Sequence, residues 1–341
     1  MSNFSKERKV EGLKRLGDFL LKPDDNFKSL IPLAKNKNSW FTQQEIEKAI
    51  EANGQMLNPP NLKAWTATAP ETPKSQKKIG LILAGNLPLV GFHDILAVLM
   101  SGHIALIKLS SQDDVLIPAI LKKLIEIEPE FESQIQFVNR LTDFDAVIAT
   151  GSNNSSRYFD YYFAKVPHII RKNRNSIAVL SGEESSEELK NLGKDIFDYY
   201  GLGCRNVSKL MVPKGYIFNH FFESIEEFSP ILNHHKYQNN YDYNKSIYLV
   251  NRLNHLDNGF LLLTQNTQLA SPLSVVFYEE YEHLDDLTSS INNHEAEIQV
   301  VVAQIDLDIK SPRVNFGESQ HPKLWDYADG VNTLEFLAQL S

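Results

Sequence analysis

Apolar residues recur at helical spacing from Lys6 to Leu21, where Val10, Leu13, Leu16, Phe19 and Leu20 share one face, so the chain opens on an amphipathic helix. A second helix is predicted after Thr42. Thr42 and Glu45 have the spacing of a capping box, Phe41 and Ile46 that of a hydrophobic staple, and Gly54 supplies a stop. Residues 55–78 carry Pro59, Pro60, Pro70 and Pro73 among polar side chains and read as a linker or connecting arm. At Ile79 the pattern changes. Ile79 to Ala84 is a continuous apolar run, as expected of a strand buried on both faces. A helix from about Val90 to Met100, closed by Gly102, leads to a second such strand over His103 to Lys108. Strand, helix and strand in about 30 residues make a βαβ unit with parallel strands. Further along, Ser110 to Ile127 reads as a helix, with Pro118 tolerable only near its start or at a kink. Strands at 135–138, 145–150, 168–171 and 176–180, with a helix from the Gly151 turn to about Lys165, extend a doubly wound parallel sheet. An amphipathic helix is expected from Glu184 to Tyr200, a strand at 209–213 and a helix from Phe218 to Phe228. Runs at 247–250, 273–278 and 298–302 then predict a second sheet.

Composition narrows the class. A length of 341 residues allows two domains of ordinary size. No apolar run reaches the roughly 20 residues of a membrane span, and MSNFSKERKV lacks the apolar stretch of a secretory leader. The net charge of -9, without a long basic run, argues against a nucleic acid as the main partner. A single cysteine excludes an internal disulfide and fits a reducing cytoplasm. The ten histidines show no ligand spacing, so no metal site is expected, and no Gly-x-Ser-x-Gly elbow marks a serine triad.

The lone Cys204 lies in Tyr199-Tyr-Gly-Leu-Gly-Cys-Arg-Asn206. Glycines before it permit a sharp turn and close approach of a carbonyl, and Arg205 favours the thiolate that attacks it. Most cysteines are small buried hydrophobes, and that reading stands beside the catalytic one. Gly201-x-Gly203-x-x-Asn206 approaches a dinucleotide fingerprint, but it follows a helix instead of a strand and is set aside. Asn86 falls at the carboxyl end of the first parallel strand, where open α/β sheets place ligands; its amide suits an oxyanion, and Gly-Asn-x-Pro equally suits a turn. Lys108, ending the next strand, has the reach for a ribose or phosphate, or is simply solvated. Thr150-Gly151-Ser152, before a helix, fits either a phosphate cradle or an ordinary strand-to-helix turn.

Taken in order, strand–Gly-Asn-x-Pro, strand–Lys, strand–Thr-Gly-Ser and Gly-x-Gly-Cys resemble the aldehyde dehydrogenase superfamily. Within it the chain looks like the acyl-CoA reductases of the bioluminescence fatty-acid reductase type. The residues that carry this are 84–94, 107–111, 148–152, 171–176, 200–207, 316–322 and 326–330, across about 79–335. The resemblance implies an α/β, aldehyde-dehydrogenase-like fold. Residues 1–78 would be N-terminal helices and an arm, and 79–182 with part of the C-terminal segment a Rossmann-like NADP-binding domain. The catalytic domain would be 183–315, and 316–341 a C-terminal segment. By position, Cys204 matches the nucleophile, Asn86 the oxyanion donor, Lys108 the lysine at the adenosine ribose, and Thr150, Gly151 and Ser152 the pyrophosphate turn. The superfamily's ribose-binding acid is replaced by Ser110 and Ser111, which favours NADPH, with NADH the alternative. No acid stands at 171–173, where oxidising members keep their general base, and this favours reduction. The implied substrate is an acyl-CoA or an acyl-carrier thioester, and the implied assembly a homo-oligomer or a complex with an acyl-donor protein. Only 137 residues follow Cys204 (341 minus 204), which puts the superfamily's usual oligomerisation arm in doubt. The rivals are a cofactor-free cysteine acyltransferase or thioesterase, and a non-catalytic acyl-binding subunit.

Overall fold

The computed structural model describes residues 4–67, 73, 75–151 and 153–340. It divides into two units, one spanning Met1–Asn173 with Pro322–Ser341, the other Arg174–His321.

In the first unit, α1 (Lys6–Leu21), α2 (Asp25–Lys28), α3 (Ile31–Lys37), α4 (Gln43–Met56) and α5 (Pro59–Thr66) precede the sheet. Of the expected capping box, the Thr42 hydroxyl accepts from the Glu45 N–H, while the Thr42 N–H donates to the Trp40 carbonyl; α1 buries Leu13, Leu16 and Leu20. A parallel sheet follows, built from β1 (Lys78–Ile82), α6 (Phe92–Ser101), β2 (Ile104–Lys108), α7 (Leu116–Ile127), β3 (Ile135–Phe137), β4 (Ala146–Thr150), α8 (Asn153–Phe163) and β5 (His168–Arg171). Its strand order is β3-β2-β1-β4-β5. Every pair is parallel, so the carboxyl ends of all five strands lie along one edge. The apolar runs hold because β1 and β4 bury Ile79, Leu81, Val147 and Ala149 under helices. Buried almost all round, α6 reads as near-continuous Ile, Leu, Val and Met.

The second unit holds β6 (Asn175–Val179), α9 (Ser186–Phe197), β7 (Val207–Pro213), α10 (Asn219–Ser224), α11 (His235–Val250), β8 (Leu256–Asp257), β9 (Leu262–Gln265), β10 (Val275–Tyr281), α12 (Leu284–Asn293), β11 (Ile298–Ala303) and β12 (Arg313–Val314). They form a sheet of order β12-β11-β6-β7-β10-β9-β8, parallel except for β8 against β9. The chain then returns to the first unit, where α13 (Thr333–Ala338) packs on α6.

Several elements depart from the sequence-based expectation. The strand expected at 176–180 in the first sheet is β6, which pairs with β11 and β7 in the second, and the helix expected from Ser110 begins only at Leu116. Residues 59–66 of the expected arm are helical, because Asn58 caps the turn and Pro59 and Pro60 occupy positions whose N–H has no helical partner. Ile247 to Val250, expected as a strand, is the last turn of α11. That helix turns Tyr237, Tyr241, Asn244 and Tyr248 inward, a period carried by polar-tipped residues that an apolar count misses. The helix expected to reach Tyr200 stops at Phe197, and Tyr199 (φ 53°) and Tyr200 (φ 59°) turn left-handed. No helix among the described residues is long and apolar enough to cross a membrane.

Candidate active site

In the first unit three neighbouring strand ends gather the expected cofactor residues at one edge. Ile82, the last residue of β1, pairs with Lys108 of β2 on one side and Ala149 of β4 on the other. Lys108 and Thr150 are half-buried, and Asn86 is exposed on the turn leaving β1. The turn is held tightly. The Asn38 amide donates to the Gly85 carbonyl at 2.8 Å, and the Leu89 N–H, at a left-handed residue (φ 61°), donates to Asp113 Oδ2 at 2.8 Å.

A side chain at residue 85 would not fit, since a Cβ there would stand 2.5 Å from Ser110 Oγ. The Ser110 hydroxyl in turn accepts from the Gln112 N–H at 3.3 Å, while Ser111 is exposed. Gly151 has the same need, because a Cβ would lie 2.9 Å from both Ser155 and Phe159 of α8. Backbone thus approaches this edge without side chains between, with a cation and hydroxyls beside it, a donor set that fits a dinucleotide phosphate. Ser152 lies outside the described residues. Buried Asp113 has its carboxyl pushed up to about 6, chiefly by burial.

Arg171, at the end of β5, stands beside Thr150 in register. Its guanidinium donates to Asp94 Oδ1 and Thr333 Oγ1, both at 2.8 Å, and to the Ala328 carbonyl. The charge at this position is therefore spent on anchoring α6 and the C-terminal segment.

In the second unit Cys204 is exposed. It occupies the second position of a turn closed by the Asn206 N–H donating to the Gly203 carbonyl at 3.0 Å. The buried Ser176 hydroxyl of β6 donates to the Cys204 carbonyl at 2.9 Å. The Asn206 side chain accepts from the Gly203 N–H at 2.8 Å and donates to the carbonyls of Asp195 (3.1 Å) and Asp198 (2.8 Å) at the end of α9. Asp195 accepts from the N–H groups of Gly317 (2.6 Å) and Ser319 (2.9 Å), and Arg205 donates to the Ser319 carbonyl at 3.4 Å. Burial pushes the Asp195 carboxyl up to about 6, against the pull of those hydrogen bonds. The thiol is thus exposed on a turn whose backbone is hydrogen-bonded on both sides, an accessibility that attack on a carbonyl would require.

Cys204 and Asn86 stand in different units, as do Cys204 and the Lys108 edge. Sequence reading found Cys204 and the three strand ends but not Asn38, Asp113, Ser176, Asp195 or the role of Asn206. No local signal marks the first four, since their partners are distant in sequence. Among the described residues no group of three or more His, Cys, Asp or Glu side chains is arranged to hold a metal ion.

The model of the acyl-CoA reductase (LuxC) family matches residues 24–217. No curated protein matches the chain in sequence. Aldehyde dehydrogenase 21 of Physcomitrella patens, solved with succinate, shares 11% identity at TM-score 0.71, covering 98% of this chain and 84% of that one. An oxidoreductase of Marinobacter aquaeolei shares 13% at TM-score 0.67, over 93% and 79% of the two chains. The aldehyde dehydrogenase of Bacillus cereus, solved with NAD+, shares 14% at TM-score 0.61, over 87% and 71%. At such identities these likenesses speak for the fold, an aldehyde-dehydrogenase-like α/β architecture.

Proposed function

This chain belongs to the acyl-CoA reductase (LuxC) family of aldehyde-forming oxidoreductases, and from that premise we propose that it reduces a fatty acyl thioester to the aldehyde through an acyl group carried on Cys204. The carrying observation is the setting of Cys204, an exposed thiol on a turn whose backbone is hydrogen-bonded on both sides. Its thiolate attacks the thioester carbonyl, and Asn86 with the Cys204 N–H takes the oxyanion role. The carbon–sulfur bond to coenzyme A breaks, the coenzyme A thiolate leaves, and an acyl-cysteine remains.

Lys108, Ser110, Ser111, Thr150, Gly151 and Ser152 are the residues proposed to hold NADP(H), which supplies hydride to the acyl carbon when bound. Collapse of the resulting thiohemiacetal releases aldehyde and returns the thiolate. In sum, acyl-CoA, NADPH and a proton give aldehyde, coenzyme A and NADP+. Arg171, committed to Asp94, supports the reductive direction, since that position offers no base to activate water. A lone reactive thiol suits a reducing compartment, so the cytoplasm is the proposed location. Coenzyme A or an acyl-carrier protein is the proposed acyl donor, with a homo-oligomer or a complex with the donor protein as the assembly.

The test is acylation in the absence of NADPH. Radiolabelled acyl-CoA should leave label on denatured wild type, released by neutral hydroxylamine, and none on Cys204→Ser. Adding NADPH should discharge the label as aldehyde, and acyl-CoAs of graded length then set the chain preference. Discharge as free acid without NADPH consumption would instead indicate a thioesterase.

A further inference from the structure

We propose that Asn206 is the positioning residue of the nucleophile, holding the Cys204 turn against the end of α9 so that the thiol meets an acyl carbonyl in one orientation. The proposal rests on Cys204 as the acyl acceptor. Asn206 grips Gly203 twice: its backbone N–H donates to the Gly203 carbonyl at 3.0 Å, and its Oδ1 accepts from the Gly203 N–H at 2.8 Å. Cys204 and Arg205 are the two residues enclosed by that pincer. The Nδ2 group ties the pincer to the core by donating to the carbonyls of Asp195 and Asp198.

The anchor is firm because α9 buries Leu189, Leu192 and Ile196, and Asn206 itself is buried. Gly201 and Gly203 flank Leu202 just before the turn, so the incoming chain is intrinsically pliant and the amide supplies the constraint. On the far side Ser176 holds the Cys204 carbonyl. Orientation of this kind matters for acyl transfer more than for alkylation, because attack on a carbonyl needs a defined approach within a near-attack geometry. A side chain that only capped α9 would affect melting and leave that difference untouched.

The sole thiol makes the test clean. Burst acylation by p-nitrophenyl acetate is compared with alkylation by iodoacetamide at one pH, with Cys204→Ser giving the background. In Asn206→Ala the acylation rate should fall about 10–100-fold, the scale of a misplacement near 1 Å, while alkylation should change less than about threefold. Ser176→Ala, losing one neutral hydrogen bond to the same turn, should slow acylation about three- to tenfold. If Asn206→Ala does not fold, Asn206→Asp keeps the shape and the acceptor for Gly203 but loses the donor arm, and it should also be slowed. Acylation at the wild-type rate in a folded Asn206 variant overturns the proposal, as does a parallel loss of both reactions. Wild type that reacts with p-nitrophenyl acetate but with no acyl-CoA overturns the proposed substrate instead, and the comparison of variants still decides the role of Asn206.

Discussion

The Asn38 amide reaches across the first unit to donate to the carbonyl of Gly85, the residue before Asn86, at 2.8 Å. Both residues are buried, so this carbonyl has little recourse to water if its partner is lost. Asn38→Ala should lower stability by about 1–3 kcal/mol, the cost of a buried group left unpaired. Urea unfolding of both proteins measures it. Coincident midpoints and slopes would show that the carbonyl finds another donor.

Asn86→Ala should slow acylation of Cys204 about 10²–10³-fold, the usual loss for one oxyanion donor. Melting should change little, because the turn is secured through Gly85 and Leu89. Stopped-flow acylation and a melting curve on the same preparation separate the two. A large fall in melting temperature with an unchanged rate would make Asn86 a turn residue.

Lys9 is almost fully buried, with its ammonium 3.4 Å from the Met100 carbonyl, and burial lowers its pKa to about 8. Between about 8 and the ordinary lysine value of 10.5 the unfolded chain holds a proton that the folded chain has released. Stability should therefore rise with pH across that window, by up to roughly 3 kcal/mol. Lys9→Met should flatten this rise and gain stability at pH 7. Denaturation midpoints at pH 7, 8.5 and 10 are the measurement, and parallel curves for the two proteins would contradict it.

NADPH should bind more tightly than NADH by roughly 1–3 kcal/mol if Lys108, Ser110 and Ser111 meet a 2′-phosphate. Ser111 is exposed, and Ser110 already serves its own turn, so Ser111 is the position to change. Ser111→Glu should invert the preference, since a carboxylate repels the phosphate and accepts from free ribose hydroxyls. Dissociation constants at fixed salt decide it. A ratio that does not move places Ser111 away from the ribose.

Residue order alone determined a good deal here. Buried parallel strands announce themselves as apolar runs, so β1, β2 and β4 were legible, with Lys108 and Thr150 ending two of them and Asn86 on the turn that leaves the first. Cys204 stood out because it is the only thiol in the chain. Short elements were not legible where the signal was local but ambiguous: four apolar residues at 247–250 carry no period, and two prolines in α5 resemble a linker until the cap at Asn58 is in place. Only the tertiary structure decided what holds the reactive residues still. Asn38 lies 47 positions from Gly85, Ser176 lies 28 from Cys204, and Asp195 lies 122 from Gly317. Helix α9 likewise ends early where Asp198 turns out of helical geometry (ψ 140°), ahead of the left-handed Tyr199 and Tyr200, and the Asn206 amide collects the freed carbonyls. Such bonds depend on which distant backbone groups folding brings within about 3 Å, a distance that no local pattern of side chains encodes.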